Sequence, residues 1–240
     1  MPGPPWLILP TYNEADNVEA IMNAAAGVLS AAAPEGFRVL VVDDGSPDGT
    51  GRLADGMAEQ HEWARVLHRT EKSGIGPAYL AGFEHALAEG AGYVMEMDSD
   101  FSHDPADLAR LLAAARGDAD LALGSRYTPG GGVSDWGLLR RLISEGGSTY
   151  ARIVLGLKVR DLTGGFKCFR REVLEAIDLD TIQARGYAFQ VEMTYRAIER
   201  GFEVVEVPIV FRDREAGSSK MNRAIVLEAI WRVPLLRLGR

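Results

Sequence analysis

Short apolar runs alternate with longer stretches rich in Ala, Leu and Glu over the first half of the 240-residue chain. The short runs, which we predict to be strands, are Trp6–Leu9, Arg38–Asp43, Arg65–His68, Tyr93–Met97 and Asp120–Ser125. The longer stretches, which we predict to be helices, are Asn17–Ala33, Gly49–His61, Gly76–Gly90 and Pro105–Arg116. This alternation is typical of strands joined by crossover helices. It predicts an α/β fold with a mostly parallel central sheet flanked by helices.

The alternation fades after Ser125. We predict a glycine-rich loop at Thr128–Gly137, a helix at Leu138–Leu155, and further strands at 166–169 and 203–210. The turn-rich segment 213–222 is expected to lack rigidity when nothing is bound. We therefore predict one domain over residues 1–222, followed by an amphipathic helix over 223–240 that contacts a membrane surface or a partner protein.

The net charge of −8 disfavours a nucleic-acid partner held by a general phosphate field. The charge is uneven, because residues 211–240 contain seven Lys or Arg and three Asp or Glu. The single cysteine, Cys168, excludes an internal disulfide, and the first residues do not have the pattern of a signal peptide. We expect a reducing, cytoplasmic location.

Three polar clusters follow predicted strands at the point where each strand ends. They are "PTYNE" at Pro10–Glu14, "DDGSPDGT" at Asp43–Thr50 and "DSD" at Asp98–Asp100. Because ligands of open α/β sheets bind beyond the carboxyl ends of the strands, we expect these clusters to form one site. Neither a G-x-G-x-x-G fingerprint after the first strand nor a P-loop motif occurs in the sequence, which disfavours a dinucleotide enzyme.

The "DSD" cluster has two interpretations. Carboxylates two residues apart on one loop suit Mg²⁺ or Mn²⁺, which also hold substrate phosphates. Alternatively, the acids cap the following helix. Asp43 and Asp44 have the same ambiguity, since they could accept hydrogen bonds from a base or ribose, or simply form a turn.

A metal-bound phosphate ligand also needs cations from the protein. Candidates at a strand end, a helix start and the turn-rich segment are Arg126, Arg140, Arg141, Arg212, Arg214 and Lys220. Arginine suits phosphate because its planar guanidinium donates two parallel hydrogen bonds. Arg140 and Ser144 are four residues apart on one predicted helix and could hold the same anion.

The order of motifs resembles a known family. The motifs are "LPTYNE", "VVDDGSPDGT", "GIGPAYLAGF", "MDSDFSHDP", "GSRYTPGG", "DLTGGFKCFRREVL", "GYAFQVEM", "EVPIVFRDR" and "SSK". From Leu7 to about Asn222 the chain is similar to the polyprenol monophosphomannose (dolichol-phosphate mannose) synthases, which are inverting family 2 glycosyltransferases with the GT-A fold. The resemblance implies transfer of mannose from GDP-mannose to a polyprenyl phosphate, with Mg²⁺ or Mn²⁺ as cofactor.

Carried over motif by motif, the resemblance also implies the site residues. The donor-binding set is Pro10, Tyr12, Glu14, Val41, Asp43, Asp98, Ser99, Asp100, Arg126, Arg214 and Lys220. The metal set is Asp98, Asp100 and Ser102, although many relatives have Gln at the position of Ser102. The acceptor-phosphate set is Arg126, Arg140 and Ser144. The catalytic set is Asp100, Arg126 and Arg140.

Several members of that family carry transmembrane helices after the catalytic domain, and we expect this chain to resemble the compact members that act at a membrane surface. The basic, apolar tail around Trp231 suits peripheral contact at the inner face of the cell membrane. The alternative is that the tail packs on the domain or on a separate membrane-anchor subunit. Two rival functions remain open from sequence: transfer from UDP-glucose or another nucleotide sugar, and a non-catalytic scaffold that binds a nucleotide sugar.

Overall fold

A seven-stranded sheet, mostly parallel, forms the centre of the protein. The structure is a computed structural model that describes residues 2–134, 137–182, 184, 186–212 and 231–237, without the side chains of Leu138, Leu139, Arg140, Leu142 and Tyr187. The order across the sheet is β3, β2, β1, β4, β7, β5, β8, and only β7 runs antiparallel to its neighbours. These strands are β1 Pro5–Thr11, β2 Arg38–Asp43, β3 Ala64–His68, β4 Tyr93–Glu96, β5 Leu121–Ser125, β7 Lys167–Arg170 and β8 Val204–Pro208. A separate parallel pair consists of β6 Gly132–Val133 and β9 Val210–Phe211.

Helices cover both faces of the sheet. They are α1 Val18–Ala32, α2 Thr50–Gln60, α3 Ile75–Ala88, α4 Asp107–Arg116, α5 Leu138–Leu155, α6 Arg171–Ala176 and α7 Gly186–Glu199. Alternate residues of β1 point to opposite faces, so Leu7 and Leu9 belong to the core cluster with α1, whereas Ile8 belongs to the cluster with α3. In α3, a Cβ on Gly82 would lie 2.4 Å from the Ile8 side chain, so the helix approaches the sheet more closely than alanine would allow.

The predicted α/β architecture is confirmed, and the strand and helix bounds of the first half differ from the sequence prediction by only a few residues. Two helices of the second half, α6 and α7, were missed. Helix α7 has buried residues on several sides, because Phe189 stacks on Tyr79 of α3 while Val191 and Tyr195 pack with α5. A helix enclosed in this way has no polar face, and its sequence consequently has no clear helical period.

Residues 231–237 are helical and pack on the domain. Val233 is buried in a third core cluster with Ala151 and Leu155 of α5, and Arg237 Nη1 donates a hydrogen bond of 2.5 Å to the carbonyl of Val154. On the other side of this helix Trp231 is 74% exposed. Within the described ranges, no helix combines the length and the apolar character that crossing a bilayer requires.

A fully buried ion pair lies where β4 meets β7. Glu96 and Lys167 are register partners across the antiparallel pair, their charged groups are 3.3 Å apart, and neither side chain is exposed. Lys167 Nζ also donates to the carbonyl of Gln190 in α7, at 3.1 Å, and to the Gln190 side chain. Burial raises the pKa of Glu96 and lowers that of Lys167, while each partner opposes the other's shift. The pair therefore connects β4, β7 and α7, close to residues 98–102, which we call the acidic loop.

Replacing Lys167 with Met should lower the free energy of unfolding by about 3–5 kcal/mol, because Glu96 would be left buried without a counter-charge. Urea unfolding at neutral pH measures the loss. Lys158→Met is the matched control, since Lys158 is exposed and its replacement should change stability by about 0.5 kcal/mol or less. Equal losses in the two variants would show that the buried pair has no special role.

Candidate active site

The three polar clusters that follow β1, β2 and β4 meet at one edge of the sheet. Thr11 Oγ1 donates to Asp43 Oδ1 at 3.1 Å, and the amide of Asn13 donates to Ser46 Oγ at 3.0 Å. Ser99 Oγ donates to the carbonyl of Pro10 at 2.9 Å. The convergence predicted from the strand order is confirmed, and hydrogen bonds connect the first cluster to each of the other two.

Asp43 and Asp44 are adjacent in sequence but have different partners. Asp43 is buried and accepts from the Ser46 hydroxyl at 2.5 Å and the Ser46 amide at 3.1 Å, in addition to Thr11. Asp44 forms a 2.7 Å ion pair with Arg69. Burial raises the pKa of Asp44 against the opposing effect of Arg69. Asp44 therefore braces the loop after β3.

Asp48 and Thr50, at the start of α2, hold the backbone at the end of the "PTYNE" segment. Asp48 Oδ2 accepts from the amide of Ala15 at 3.1 Å, and Asp48 Oδ1 accepts from the amide of Thr50 at 3.0 Å. Although burial acts in the opposite direction, these bonds together with one from the Thr50 hydroxyl hold the pKa of Asp48 below its ordinary value. Thr50 Oγ1 in turn accepts from the amide of Glu14 at 2.9 Å. The backbone of the first cluster is thus held by side chains of the second.

The remaining donor-site positions lie close to these loops. Glu14 is nearly buried and accepts from Asn17 Nδ2 at 3.0 Å. The ring of Tyr12 has Lys72 Nζ 3.9 Å from its centroid. Val41 is fully buried in the core cluster beneath α1 and α2. Their contacts with a nucleotide stay predictions. Arg214, Lys220 and the side chain of Arg140 lie outside the described residues.

The acidic loop turns back sharply on itself. Phe101 has a positive φ of 59°, which is uncommon for a side chain of this size. The turn lets the amide of Ser102 donate to Asp100 Oδ1 at 3.1 Å. Tyr79 donates its hydroxyl proton towards Asp98 Oδ1 at 3.4 Å. The two carboxylates are therefore held by different neighbours, on one short loop.

The Ser102 side chain belongs to the same short loop as Asp98 and Asp100. Its Oγ is buried and has no hydrogen-bond partner within the described residues. A buried hydroxyl without a partner is costly unless a ligand satisfies it. The described residues contain no group of three or more His, Cys, Asp or Glu side chains able to bind a metal. Asp98, Asp100 and Ser102 would offer a cation two carboxylates and one hydroxyl. This fits Mg²⁺ or Mn²⁺, which take one or two carboxylates and fill other positions from substrate phosphates and water.

His103 packs the acidic loop against aromatic rings. Its ring centroid lies 4.9 Å from that of Phe166 and 5.0 Å from that of Phe211, which ends β9. Burial lowers the pKa of His103 to about 4, so the imidazole is neutral at physiological pH. The amide of Asp98 donates to its Nδ1 at 3.4 Å. These contacts make His103 a packing residue of the loop.

Strand β9 is connected directly to the acidic loop. The amide of Arg212 donates to the carbonyl of Ser102 at 3.0 Å, and its guanidinium lies 3.7 Å from Asp104. The parallel pairing of β9 with β6 holds this segment from the other side. Strand β6 lies inside the predicted Thr128–Gly137 loop, which is therefore more ordered than its glycine content suggested.

Arg126, at the end of β5, is buried and held by Asp161. Arg126 Nε and Nη2 each donate to a different oxygen of Asp161 at 2.7 Å, and the Arg126 amide donates to Asp161 Oδ2 at 3.0 Å. Although burial acts in the opposite direction, the Arg126 charge holds the pKa of Asp161 below its ordinary value. The guanidinium carbon lies 5.5 Å from the centroid of Phe211, the same ring that contacts His103. The cation and the acidic loop are therefore neighbours across one aromatic side chain.

Sequence reasoning assigned no role to Asp161. Asp161 could have been noticed as the first residue of the "DLTGGF" motif. A single aspartate at the start of a loop, however, is usually a turn residue. Its pairing with Arg126, 35 positions away, depends on the antiparallel insertion of β7 beside β5.

Ser144 lies beside the same strand end. The hydroxyl of Tyr127, the residue after Arg126, donates to Ser144 Oγ at 2.7 Å. This contact brings the N-terminal half of α5 to the carboxyl end of β5. The predicted acceptor residues Arg126 and Ser144 are therefore separated by a single tyrosine side chain.

Asp161→Asn should lower the free energy of unfolding at pH 7 by about 3–5 kcal/mol, because Arg126 would remain buried without a counter-charge. Since the folded-state pKa of Asp161 is depressed, its contribution is present above about pH 4 and is lost as the pH falls through the folded pKa. The stability difference between wild type and variant should therefore shrink below about pH 4, as measured by denaturant titrations at several pH values. In Asp55→Asn, which alters an exposed pair with His68, the change should stay within about 1 kcal/mol. A difference for Asp161→Asn that is constant down to pH 2 would contradict the assignment.

Known proteins share this fold and much of this sequence. The polyprenol monophosphomannose synthase of Mycolicibacterium smegmatis is 49% identical over 228 residues, which cover 95% of this chain and 84% of that protein. The undecaprenyl-phosphate mannosyltransferase of Micrococcus luteus is 50% identical over 223 residues, which cover 93% of this chain and 89% of that protein.

Solved structures show the GT-A fold that the sequence predicted. Glucosyl-3-phosphoglycerate synthase of Mycobacterium tuberculosis, crystallised with Mn²⁺, UDP and glucosyl-3-phosphoglycerate, matches with a TM-score of 0.72 at 20% identity, over 99% of this chain and 80% of that one. The same enzyme has also been crystallised with Mg²⁺ and UDP. A family model described as Glycosyl transferase family 2 matches residues 6–178. The chain belongs to glycosyl transferase family 2.

Proposed function

We propose that this glycosyltransferase moves mannose from GDP-mannose to the phosphate of a polyprenyl (dolichyl-type) lipid, with inversion, giving polyprenyl-phosphate β-mannose and GDP. The observation that carries the proposal is the adjacency of two oppositely charged groups, namely the Asp98–Ser102 loop and the Asp161-anchored Arg126. Relatives about half identical over most of the chain are named for mannosyl transfer to polyprenyl phosphates, which supports the sugar and the acceptor.

The donor is proposed to bind along the carboxyl edge of β1, β2 and β4. Asp43 supports this, because its carboxylate is held rigidly by Thr11 and Ser46 and would bind a nucleoside without reorganising. Pro10, Tyr12, Glu14 and Ser99 belong to the same hydrogen-bonded edge. Guanine as the base, and the roles of Arg214 and Lys220 on the diphosphate, are parts of the proposal that rest on the family resemblance.

Asp98, Asp100 and Ser102 are proposed to hold a divalent cation with the donor diphosphate. When bound, Mg²⁺ or Mn²⁺ would neutralise charge that develops on the leaving diphosphate. The buried Ser102 hydroxyl supports the assignment, because it has no partner within the described residues.

The reaction is proposed to be a direct displacement. An acceptor phosphate oxygen forms a bond to the anomeric carbon of mannose, while the bond from that carbon to the diphosphate oxygen breaks and GDP leaves with the electron pair. The acceptor phosphate is already anionic at neutral pH, so no strong general base is needed. Arg126 is suited to orient it, because Asp161 fixes the direction of its guanidinium, and Arg140 and Ser144 are proposed to complete the acceptor site.

The enzyme is proposed to work at a membrane surface, at the inner face of the cell membrane. In the 231–237 helix, Trp231 and Leu235 are four residues apart and are 74% and 42% exposed, while Val233 faces the core. Such a helix suits an interfacial position with its aromatic residue in the headgroup layer. A separate membrane-anchor subunit is the alternative partner for this face.

The direct test is transfer of labelled mannose from GDP-mannose into a polyprenyl phosphate by the purified chain with Mn²⁺ or Mg²⁺. Asp100→Asn should lower kcat by about 100-fold or more, because the neutral amide binds a divalent cation far more weakly. Asp118→Asn, which alters an exposed acid after α4, should leave kcat within about twofold.

The assay also separates the alternatives. UDP-glucose or dTDP-sugars replacing GDP-mannose as the effective donor would overturn the donor assignment. Nucleotide-sugar binding without transfer to acceptors of any chain length would favour the scaffold function. Full activity in Asp100→Asn would remove this residue from the mechanism.

Ser102→Ala should raise the metal concentration needed for half-maximal activity by about 10-fold. This is the lower end of the loss in metal affinity that follows when a group near a bound metal is replaced. The free energy of unfolding of the metal-free protein should not fall, because the buried hydroxyl has no hydrogen bond to lose within the described structure. A metal titration of activity, together with urea unfolding, measures both quantities. Unchanged metal dependence would make Ser102 a packing residue only.

A further inference from the structure

An arginine-lined cleft of about 580 Å³ lies between α5 and the segment that follows β5. Its lining includes Arg126, Gly131, Arg141, Glu145, Arg152 and Arg160. Apart from Arg126, none of the residues assigned to the donor, metal or acceptor sets lines the cleft. The cleft therefore adjoins the proposed reaction site at Arg126, and its other lining residues have no assigned role in the reaction.

Helix geometry explains why these side chains converge. Arg141, Glu145 and Arg152 are separated by four and seven residues, which places them on one face of α5. Helix α5 ends at Gly156, which has a positive φ of 71°, and the chain then turns back. Glu206 holds the returning segment by accepting from the amide of Arg160 at 3.0 Å, so Arg160 is brought to the same cleft.

The opposite wall is backbone. A Cβ on Gly131 would lie 2.4 Å from the carbonyl oxygen of Ser125, so only glycine allows this close approach. The amide of Gly131 donates to the carbonyl of Thr128 at 2.9 Å, which closes the turn. The close approach to Ser125 and the hydrogen bond to Thr128 together hold Gly131 in position.

The charges of the cleft do not balance. Arg126 has Asp161 as its ion-pair partner, and Arg141 pairs with Glu145 at 3.0 Å. The guanidinium groups of Arg152 and Arg160 form no hydrogen bond or ion pair within the part of the chain that the structure describes. Two positive charges thus remain in a concave site, on a protein whose net charge is −8. Uncompensated arginines that share a cavity attract a divalent or monovalent anion.

We propose that this cleft is a phosphate-binding site in which Arg152 and Arg160 are the principal cations. Guanidinium groups match the tetrahedral oxygens of a phosphate, and the volume accommodates the phosphate with a small group attached. The phosphate has two sources, an anionic phospholipid headgroup or a free phosphate ester. Ile153, adjacent to Arg152 and 69% exposed, is placed to contact an acyl chain in the first case.

The test compares wild type with Arg152→Gln, Arg160→Gln and the double variant, using the full chain without any sugar donor. In the lipid arm, binding to phosphatidylcholine vesicles with and without phosphatidylglycerol is measured by co-sedimentation. Each substitution should weaken binding to the phosphatidylglycerol vesicles by about fivefold, the usual contribution of one arginine near an anionic surface. In the free-phosphate arm, inorganic phosphate and glycerol 3-phosphate are titrated calorimetrically, and the double variant should lose the binding that wild type shows.

Arg200→Gln is the matched control, because it removes the same charge from an exposed position outside the cleft. An effect confined to the vesicle arm identifies a lipid headgroup as the ligand, and an effect confined to the calorimetric arm identifies a free phosphate ester. The proposal is overturned if the double variant matches wild type in both arms, or if Arg200→Gln has an equal effect. Thermal unfolding midpoints of the variants establish that each one is folded. Since no mannose is transferred in either arm, failure here is distinct from failure of the proposed reaction.

Discussion

The parallel pairing of β1 with both β2 and β4 is the constraint on which the site depends. Parallel strands must all end at the same edge, so the segments that follow Thr11, Asp43 and Glu96 cannot avoid each other. Three loops meeting at one edge can satisfy their backbone groups with each other's side chains, as Thr50 does for Glu14 and Ser99 does for Pro10. The result is an edge whose loops are held together by hydrogen bonds between them.

Two buried ion pairs connect elements near the site that the parallel pairing of β1, β2 and β4 does not connect. Glu96 with Lys167 connects β4, β7 and α7 below the acidic loop, and Arg126 with Asp161 connects the end of β5 to the segment before β7. Both involve the antiparallel strand β7 or its approach. Buried pairs of this kind contribute little net stability compared with apolar packing, but losing one partner is costly. They are therefore better explained as devices that hold charged groups in one orientation.

Membership of glycosyl transferase family 2 gives these features a common purpose in the proposed reaction. An acidic loop that holds a cation and an arginine fixed by a carboxylate can stabilise negative charge at two points along a displacement. The proposed chemistry needs alignment more than it needs an acid or base, because the acceptor phosphate is already anionic.

Much of the fold was readable from the sequence, because its strands and most of its helices carry local patterns. Strands β1 to β5 are continuous apolar runs, α1 and α2 lie between them, and the acids come at strand ends, so the sheet, its edge and the acidic loop followed from residue order. Helix α7 could not be recognised in this way, since burial on several sides removes its polar face. Strand β6, only two residues long, was hidden in a glycine-rich stretch.

The sequence by itself determined the α/β class, the family resemblance and the position of the acids at the edge of the sheet. Only the tertiary structure decided which of the adjacent residues Asp43 and Asp44 pairs with Arg69, and that Asp161 orients Arg126. It also decided that Ser102 keeps a buried hydroxyl without a partner in the described chain, and that Arg152 and Arg160 share a cleft. The physical reason is that pairing of charges depends on distance in space, whereas sequence patterns report only the local period of strands and helices.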